Sequence, residues 1–267
     1  MNNKYSNLSL ITLAIFFNIC IGQNSYAKSA EETGRDIIQE ASDRDDGFGD
    51  MTSDVTMILK DTEGNQYRRD LIIKSLEVKN DGEKRLFSFK SPNDIKGTTV
   101  LNYGHILDED DQWIYLPAFK RVKRISSTNQ SGSFVSSEFA YEDLTSIEVD
   151  KYRHRYLEDS QIGTLACFKV ELIPTYENSG YSRLIAYVDK QDYLFRQVEF
   201  YDRDETLLKT LKLSGYQRYK ERYWRPNVTT MTNHQTGKET VMQWDNIHLQ
   251  NGLTVADFSR NAIKRSR

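Results

Sequence analysis

From Asp50 onward the apolar residues of this chain recur at every second position. Val55, Met57 and Leu59 share one parity, as do Leu71 with Ile73, Phe87 with Phe89, and Trp113 with Tyr115. The rule returns in Phe168, Val170 and Leu172, in Leu184, Ala186 and Val188, and in Leu194, Val198 and Phe200. Successive strand residues point to opposite faces, so a period of two marks strands with one buried and one wetted face. Turn-forming clusters separate the runs: Glu63-Gly64-Asn65, Asn80-Asp81-Gly82, Asp108 with Asp111, Asn178-Ser179-Gly180, Asp202-Arg203-Asp204 and Thr236-Gly237. Their spacing predicts antiparallel hairpins in a meander, with about ten to twelve strands on this template. No helix–strand alternation occurs, which excludes a doubly wound α/β fold.

Two segments break the period. Residues 29–42 read as one amphipathic helix, with Ser29 as its cap, Glu31 and Glu32 in the first turn, and Ile37, Ile38 and Ala41 as its apolar edge. Residues 43–50 form a turn into the first strand. That turn is acidic, but Gly47 already holds the fifth place counted from Asp43, where a calcium loop needs an oxygen ligand. Residues 126–137 are rich in Ser, Thr, Asn and Gly, and residues 138–145 then read as a short helix. A long polar insertion in a meander is functional or mobile. Residues 255–263 suit one more helical turn.

The N-terminus obeys other rules. Lys4 precedes an uncharged run at 8–21, and Ser25-Tyr26-Ala27 follows with small residues at its outer positions. This is the layout of a secretory signal peptide cut after Ala27, which leaves 28–267 as a single β domain. Cys20 is preceded by Asn18 and bulky Ile19, which does not suit lipoprotein cleavage. Cleavage leaves Cys167 as the lone cysteine of an exported chain, so no internal disulfide is expected and the core alone must hold the fold. Cys167 is read as an inert strand residue. A mean hydropathy of -0.67 excludes a polytopic membrane protein. A net charge of -3 with both signs interspersed gives no general attraction to nucleic acid.

Catalytic and metal templates fail. His105, His154, His234 and His248 have neither helical pairing nor cysteine partners, and nucleophile-elbow, phosphate-loop and dinucleotide motifs are missing. Asp108-Glu109-Asp110-Asp111 reads as a solvated turn rather than a cation site. No enzymatic activity, cofactor or metal is expected.

The segment 110–143 is the most informative. It contains Trp113-Ile114-Tyr115-Leu116-Pro117-Ala118, then Lys120-Arg121-Val122-Lys123-Arg124, Gly132-Ser133-Phe134 and Phe139-Ala140-Tyr141-Glu142-Asp143-Leu144. With Asp54-Val55-Thr56-Met57 and Gly97-Thr98-Thr99, it resembles the LolA-like outer-membrane lipoprotein-sorting family, in the branch found beside large lipid exporters. The resemblance implies a mainly β fold, an unclosed antiparallel β-barrel of about eleven strands with helices as a lid. It also implies a periplasmic carrier or chaperone that holds acyl chains of lipid or lipoprotein in an apolar cavity on the way to the outer membrane. An inner-membrane exporter of the resistance-nodulation-division type is the implied partner, and a monomer the implied state.

On this reading the acyl-binding candidates are Trp113, Tyr115, Phe119, Phe134, Phe139 and Tyr141, and residues 126–145 are the lid. Trp113 and Tyr115 share a face, which is either the cavity or the core. Lys120, Arg121, Lys123 and Arg124 are candidates for docking a headgroup or an acidic partner, or else they guard a solvated edge strand. The alternative function is an accessory docking module of a lipid exporter that carries no lipid itself.

Overall fold

The computed structural model describes residues 27–264, so the expected signal peptide and Cys20 lie outside the described residues. Helix α1 (Ala30–Asp45) opens the fold. Ser29 Oγ accepts the Glu32 N–H at 3.0 Å, and the Glu32 carboxylate accepts the Ser29 N–H at 2.9 Å, a reciprocal cap. Ile37, Ile38 and Ala41 are buried as expected. Gly34 is buried because a β-carbon there would stand 2.6 Å from the backbone nitrogen of Tyr156. The helix therefore lies directly on a strand backbone.

The chain then makes β1 (Asp50–Lys60), β2 (Gln66–Leu76), β3 (Lys84–Ser91), β4 (Thr99–Tyr103), β5 (Asp111–Leu116) and β6 (Arg121–Ile125). After a long connection come β7 (Tyr152–Ile162), β8 (Leu165–Pro174), β9 (Arg183–Asp189), β10 (Phe195–Tyr201) and β11 (Leu207–Ser214). A hairpin of β12 (Gln217–Tyr219) and β13 (Tyr223–Arg225) precedes β14 (Val228–Asn233) and β15 (Glu239–Leu249). Thirteen strands form one antiparallel sheet in the order β6-β5-β4-β3-β2-β1-β15-β14-β11-β10-β9-β8-β7, and β12 pairs with β13 apart from it. The sheet is not closed: β6 and β7, consecutive in sequence, are its two free edges. The fold is thus the unclosed antiparallel barrel that the resemblance implies.

The strand count exceeds the expected number. β12 and β13 are three residues each, too short to show a period, and β6 is a cationic edge. All six turn clusters read from the sequence do connect strands. Asp61 Oδ1 accepts the N–H groups of Glu63 and Asn65, and Asp202 Oδ1 repeats this with Asp204 and Thr206. These side chains copy a backbone turn, which explains why the signals were readable.

The main core lies on the concave face, where Val55, Met57, Leu71, Ile73, Phe87, Phe89 and Val100 meet Val170, Leu172, Leu184, Ala186, Val198 and Phe200 from the other arm. Residues 126–151 run between the two free edges through this core. They form short 3-10 turns, of which Tyr141–Leu144 is what remains of the expected helix. Phe134 is 0% exposed, with its ring 5.5 Å from Phe87, 5.7 Å from Phe89 and 5.9 Å from Tyr141. The connection is a plug inserted into the open barrel, so the aromatic residues of the segment 126–145, expected as a lid, pack into the core. A meander that cannot close must fill its own mouth with other side chains.

The convex face carries a second cluster. Leu86, Leu101 and Tyr115 bury Phe258 and Ile263 from two C-terminal 3-10 turns, Val255–Phe258 and Ala262–Lys264. Cys167 packs with Ile185 and Tyr187 on the same side of the sheet, and burial pushes its thiol pKa up. That placement agrees with an inert strand cysteine.

Candidate functional site

A cavity of about 1400 Å³ lies between the two arms of the sheet, at the end where α1 stops. Its floor is apolar: Ile38 from α1, Ile73 and Phe87 from one arm, Val198, Leu211 and Leu213 from the other. The β12–β13 hairpin stands at its edge and is tied to the turn after α1. The Tyr223 hydroxyl donates to the Gly47 carbonyl at 2.6 Å, Arg222 donates to the Asp46 carbonyl at 2.8 Å, and Arg225 pairs with Asp45.

The lining changes character along β2 and β3. Ile73 lies opposite Phe87, and Ser75 lies opposite Arg85. Two residues further toward the rim, at the same parity, stand Glu77 and Glu83. The side chains therefore run apolar, polar, acidic from floor to rim. The polar level continues sideways, because Asn102 lies opposite Arg85 and Gln112 lies opposite Asn102. Ser75, Asn102 and Gln112 are buried and each holds a side-chain polar atom without a hydrogen-bond partner among the described residues. Arg85 donates to the Glu83 carboxylate at 2.7 Å, to the Leu144 carbonyl at 3.1 Å and to Ser146 Oγ at 2.8 Å. It ties the cavity wall to the plug.

The rim is acidic. Eleven carboxylates and six cationic side chains line the whole cavity. Burial, helped by the neighbouring Glu83 and Asp110 carboxylates, raises the Glu148 carboxyl to about 7. Burial and the Glu77, Asp43, Asp45 and Glu83 carboxylates also raise Asp46.

The plug is anchored on both arms. Lys209 pairs with Asp143 at 2.5 Å, both side chains being only 4% exposed. The Tyr181 hydroxyl donates to Asp143 at 2.7 Å. Lys151 pairs with Asp110 at 2.5 Å, and Gln112 donates to the Tyr141 carbonyl at 2.8 Å. Glu142 accepts the Gly180 N–H at 2.9 Å, while burial and the adjacent Asp143 raise its carboxyl to about 7. The folded state then holds that proton more tightly than the unfolded chain. Stability from Glu142 is present below its unfolded value near 4.5 and is lost as pH rises toward 7. Glu142→Gln keeps an acceptor for Gly180 and removes the charge. It should raise stability by on the order of 2 kcal/mol at pH 8 and by much less at pH 5. Paired urea melts of variant and parent at the two pH values check this; an equal shift at both would refute it.

The residues expected to bind acyl chains do not line the cavity. Trp113 and Tyr115 face outward and pack beneath the C-terminal turns, with Tyr103 in T-shaped contact with Trp113 at 5.0 Å. Phe119 is 69% exposed in the β5–β6 turn. Phe134 and Phe139 are buried in the core, and Tyr141 packs against it as part of the plug. Parity paired Trp113 with Tyr115 correctly but left open which face was inward. Lys120, Arg121, Lys123 and Arg124 are all exposed along the free edge β6, where Arg121 and Lys123 share one parity and Arg124, paired to Asp111, has the other. The residues missed were Ser75, Arg85, Glu83 and Glu148. Polar Ser75 and Arg85 at the parity of Ile73 and Phe87 were the available signal.

Among the described residues no group of His, Cys, Asp or Glu is placed to hold a metal, and no helix is long and apolar enough to cross a membrane.

A family model described only as uncharacterized-protein-like matches residues 81–265. No curated protein matches the chain. Among solved structures, a domain from Vibrio parahaemolyticus described as an outer membrane lipoprotein-sorting protein is 48% identical, with a TM-score of 0.86 over 88% of this chain and 100% of its own. A DUF1329 family protein from Desulfovibrio piger is 26% identical, with a TM-score of 0.84 and the same shares covered. A LolA superfamily protein from Nitrosomonas europaea shares the fold at 17% identity and a TM-score of 0.70, again over 88% and 100%.

Proposed function

Because the chain belongs to the family of the Vibrio parahaemolyticus lipoprotein-sorting domain, we propose that it is a periplasmic, non-enzymatic carrier for the acyl chains of a lipid or lipoprotein. The observation that carries this reading is the cavity of about 1400 Å³ with its apolar floor between the sheet arms. Each methylene transferred from water to such a floor contributes about 0.8 kcal/mol, so one long chain supplies enough affinity for transport. Export by a signal peptide at 1–27, a single domain at 28–267 and transfer toward the outer membrane belong to the same proposal.

Leu213→Asp tests it. Leu213 is half-buried on the cavity wall, outside the main core. A carboxylate there must be desolvated by an incoming chain, which costs several kcal/mol. Affinity for a fluorescent fatty-acyl probe should fall at least tenfold while the circular dichroism spectrum is kept. Unchanged affinity would count against the cavity as the acyl site.

A second reading is docking to an inner-membrane lipid exporter through the cationic free edge β6, without cargo. An open edge can pair with a strand of a partner, and cations there suit an acidic one. Under that reading the parent protein takes up no acyl probe, and Leu213→Asp leaves partner capture intact.

A further inference from the structure

Resting on the carrier reading, the rim carries a finer statement about the cargo. We propose that the cavity selects amphiphiles whose polar end is a primary amine, with the ammonium held between the rim carboxylates and Ser75. Most cations of the lining are already engaged with the protein itself. Arg44 pairs with Glu40, Arg85 with Glu83, and Arg225 with Asp45, while Arg222 donates to a backbone carbonyl. The remaining two stand at the mouth: Lys79 is exposed in the β2–β3 turn, and Arg218 of β12 lies over the Trp224 ring.

The carboxylates are not so matched. Asp143 pairs with Lys209 and Asp150 with Arg35, but among the described residues the Glu148 and Asp46 carboxylates have neither an ion pair nor a hydrogen bond from a side chain. Both line the cavity and feel the same neighbour, Glu83. Like charges held in a partly desolvated cleft repel one another, and an arriving cation relieves that repulsion. A phosphate or carboxylate headgroup would add to it.

The second observation is Ser75. Its side chain lines the cavity one level below the acidic rim, the residue is 1% exposed, and its Oγ has no hydrogen-bond partner among the described residues. A buried hydroxyl with free lone pairs accepts from an ammonium N–H. Below it, Ile73 and Phe87 begin the apolar floor. The order of acid, hydroxyl and hydrocarbon matches an alkylamine entering tail first.

Three probes with one fluorescent twelve-carbon tail, ending in a primary amine, an alcohol or a phosphate monoester, decide the matter. They are titrated into the full chain below their aggregation concentrations. The amine should bind at least tenfold more tightly than the alcohol, and the phosphate at least tenfold more weakly. In the double variant Asp46→Asn, Glu148→Gln the amine-to-alcohol ratio should fall at least threefold. An amine no tighter than the alcohol, a phosphate equal to it, or a ratio unmoved in the variant overturns the headgroup proposal while the carrier reading stands. If none of the three binds, the carrier reading fails as well, so the two failures are distinguishable.

Discussion

Asp143→Asn is expected to destabilise the protein by about 3–5 kcal/mol, because it leaves the Lys209 ammonium buried without its counter-charge. Lys209 lies over the adjacent Tyr181 and Phe200 rings and, among the described residues, otherwise donates only to the Glu138 carbonyl at 3.1 Å. Neither contact replaces a carboxylate. The double variant Asp143→Asn, Lys209→Met should recover most of the loss. It removes the stranded charge, while the amide oxygen that replaces the carboxylate still accepts from the Tyr181 hydroxyl. Urea denaturation of the two single variants and the double variant measures this coupling. Additive losses would mean that the pair does not anchor the plug.

Phe134→Ala should cost a similar amount, about 3–5 kcal/mol, through the cavity it leaves between Phe87, Phe89 and Tyr141. The site differs from an ordinary core position, because Phe134 belongs to an irregular segment whose hold on the barrel depends on few side chains. Its loss should therefore release the segment as well as weaken the fold. Hydrogen exchange across 126–151 is expected to speed up more than exchange in β8 or β9, whose backbone bonds lie inside the sheet. Uniform acceleration would show that Phe134 is plain core. Phe134→Leu, which fills most of the space, should cost well under half as much.

The sheet was legible because its strands are half-buried, so the alternation of Val55, Met57 and Leu59 or Phe168, Val170 and Leu172 is written directly by burial. The helix was legible because Ser29, Glu32 and its apolar edge all agree. β7 was not, because its stretch Tyr-Arg-His-Arg-Tyr-Leu-Glu-Asp is a free edge covered by α1 through the Gly34 contact, with little apolar period to read. The motif residues Trp113, Phe134 and Tyr141 pointed to the right family and the wrong cavity. Aromatic side chains mark large buried surfaces, but a curved sheet has two faces, and only tertiary structure decides which one each side chain meets. The cavity itself is built from Ile73, Phe87 and Leu211, which look like any other core residues in a sequence.

Strand order also shapes how the chain can assemble. β1 through β6 pair only with their sequence neighbours, apart from β1, whose other side belongs to β15. As the polypeptide emerges with its N-terminus first, the first arm can form while β1 still presents an open row of backbone donors and acceptors. That row is satisfied only when the last strand arrives and sets Val55 opposite Trp244 and Met57 opposite Met242. Until then the half-made protein offers a long edge, with Leu71, Ile73, Phe87 and Phe89 uncovered on one face, and so is a natural client for chaperones. The entropy of chain closure is largest at the β1–β15 seam, where the loop to be closed is longest.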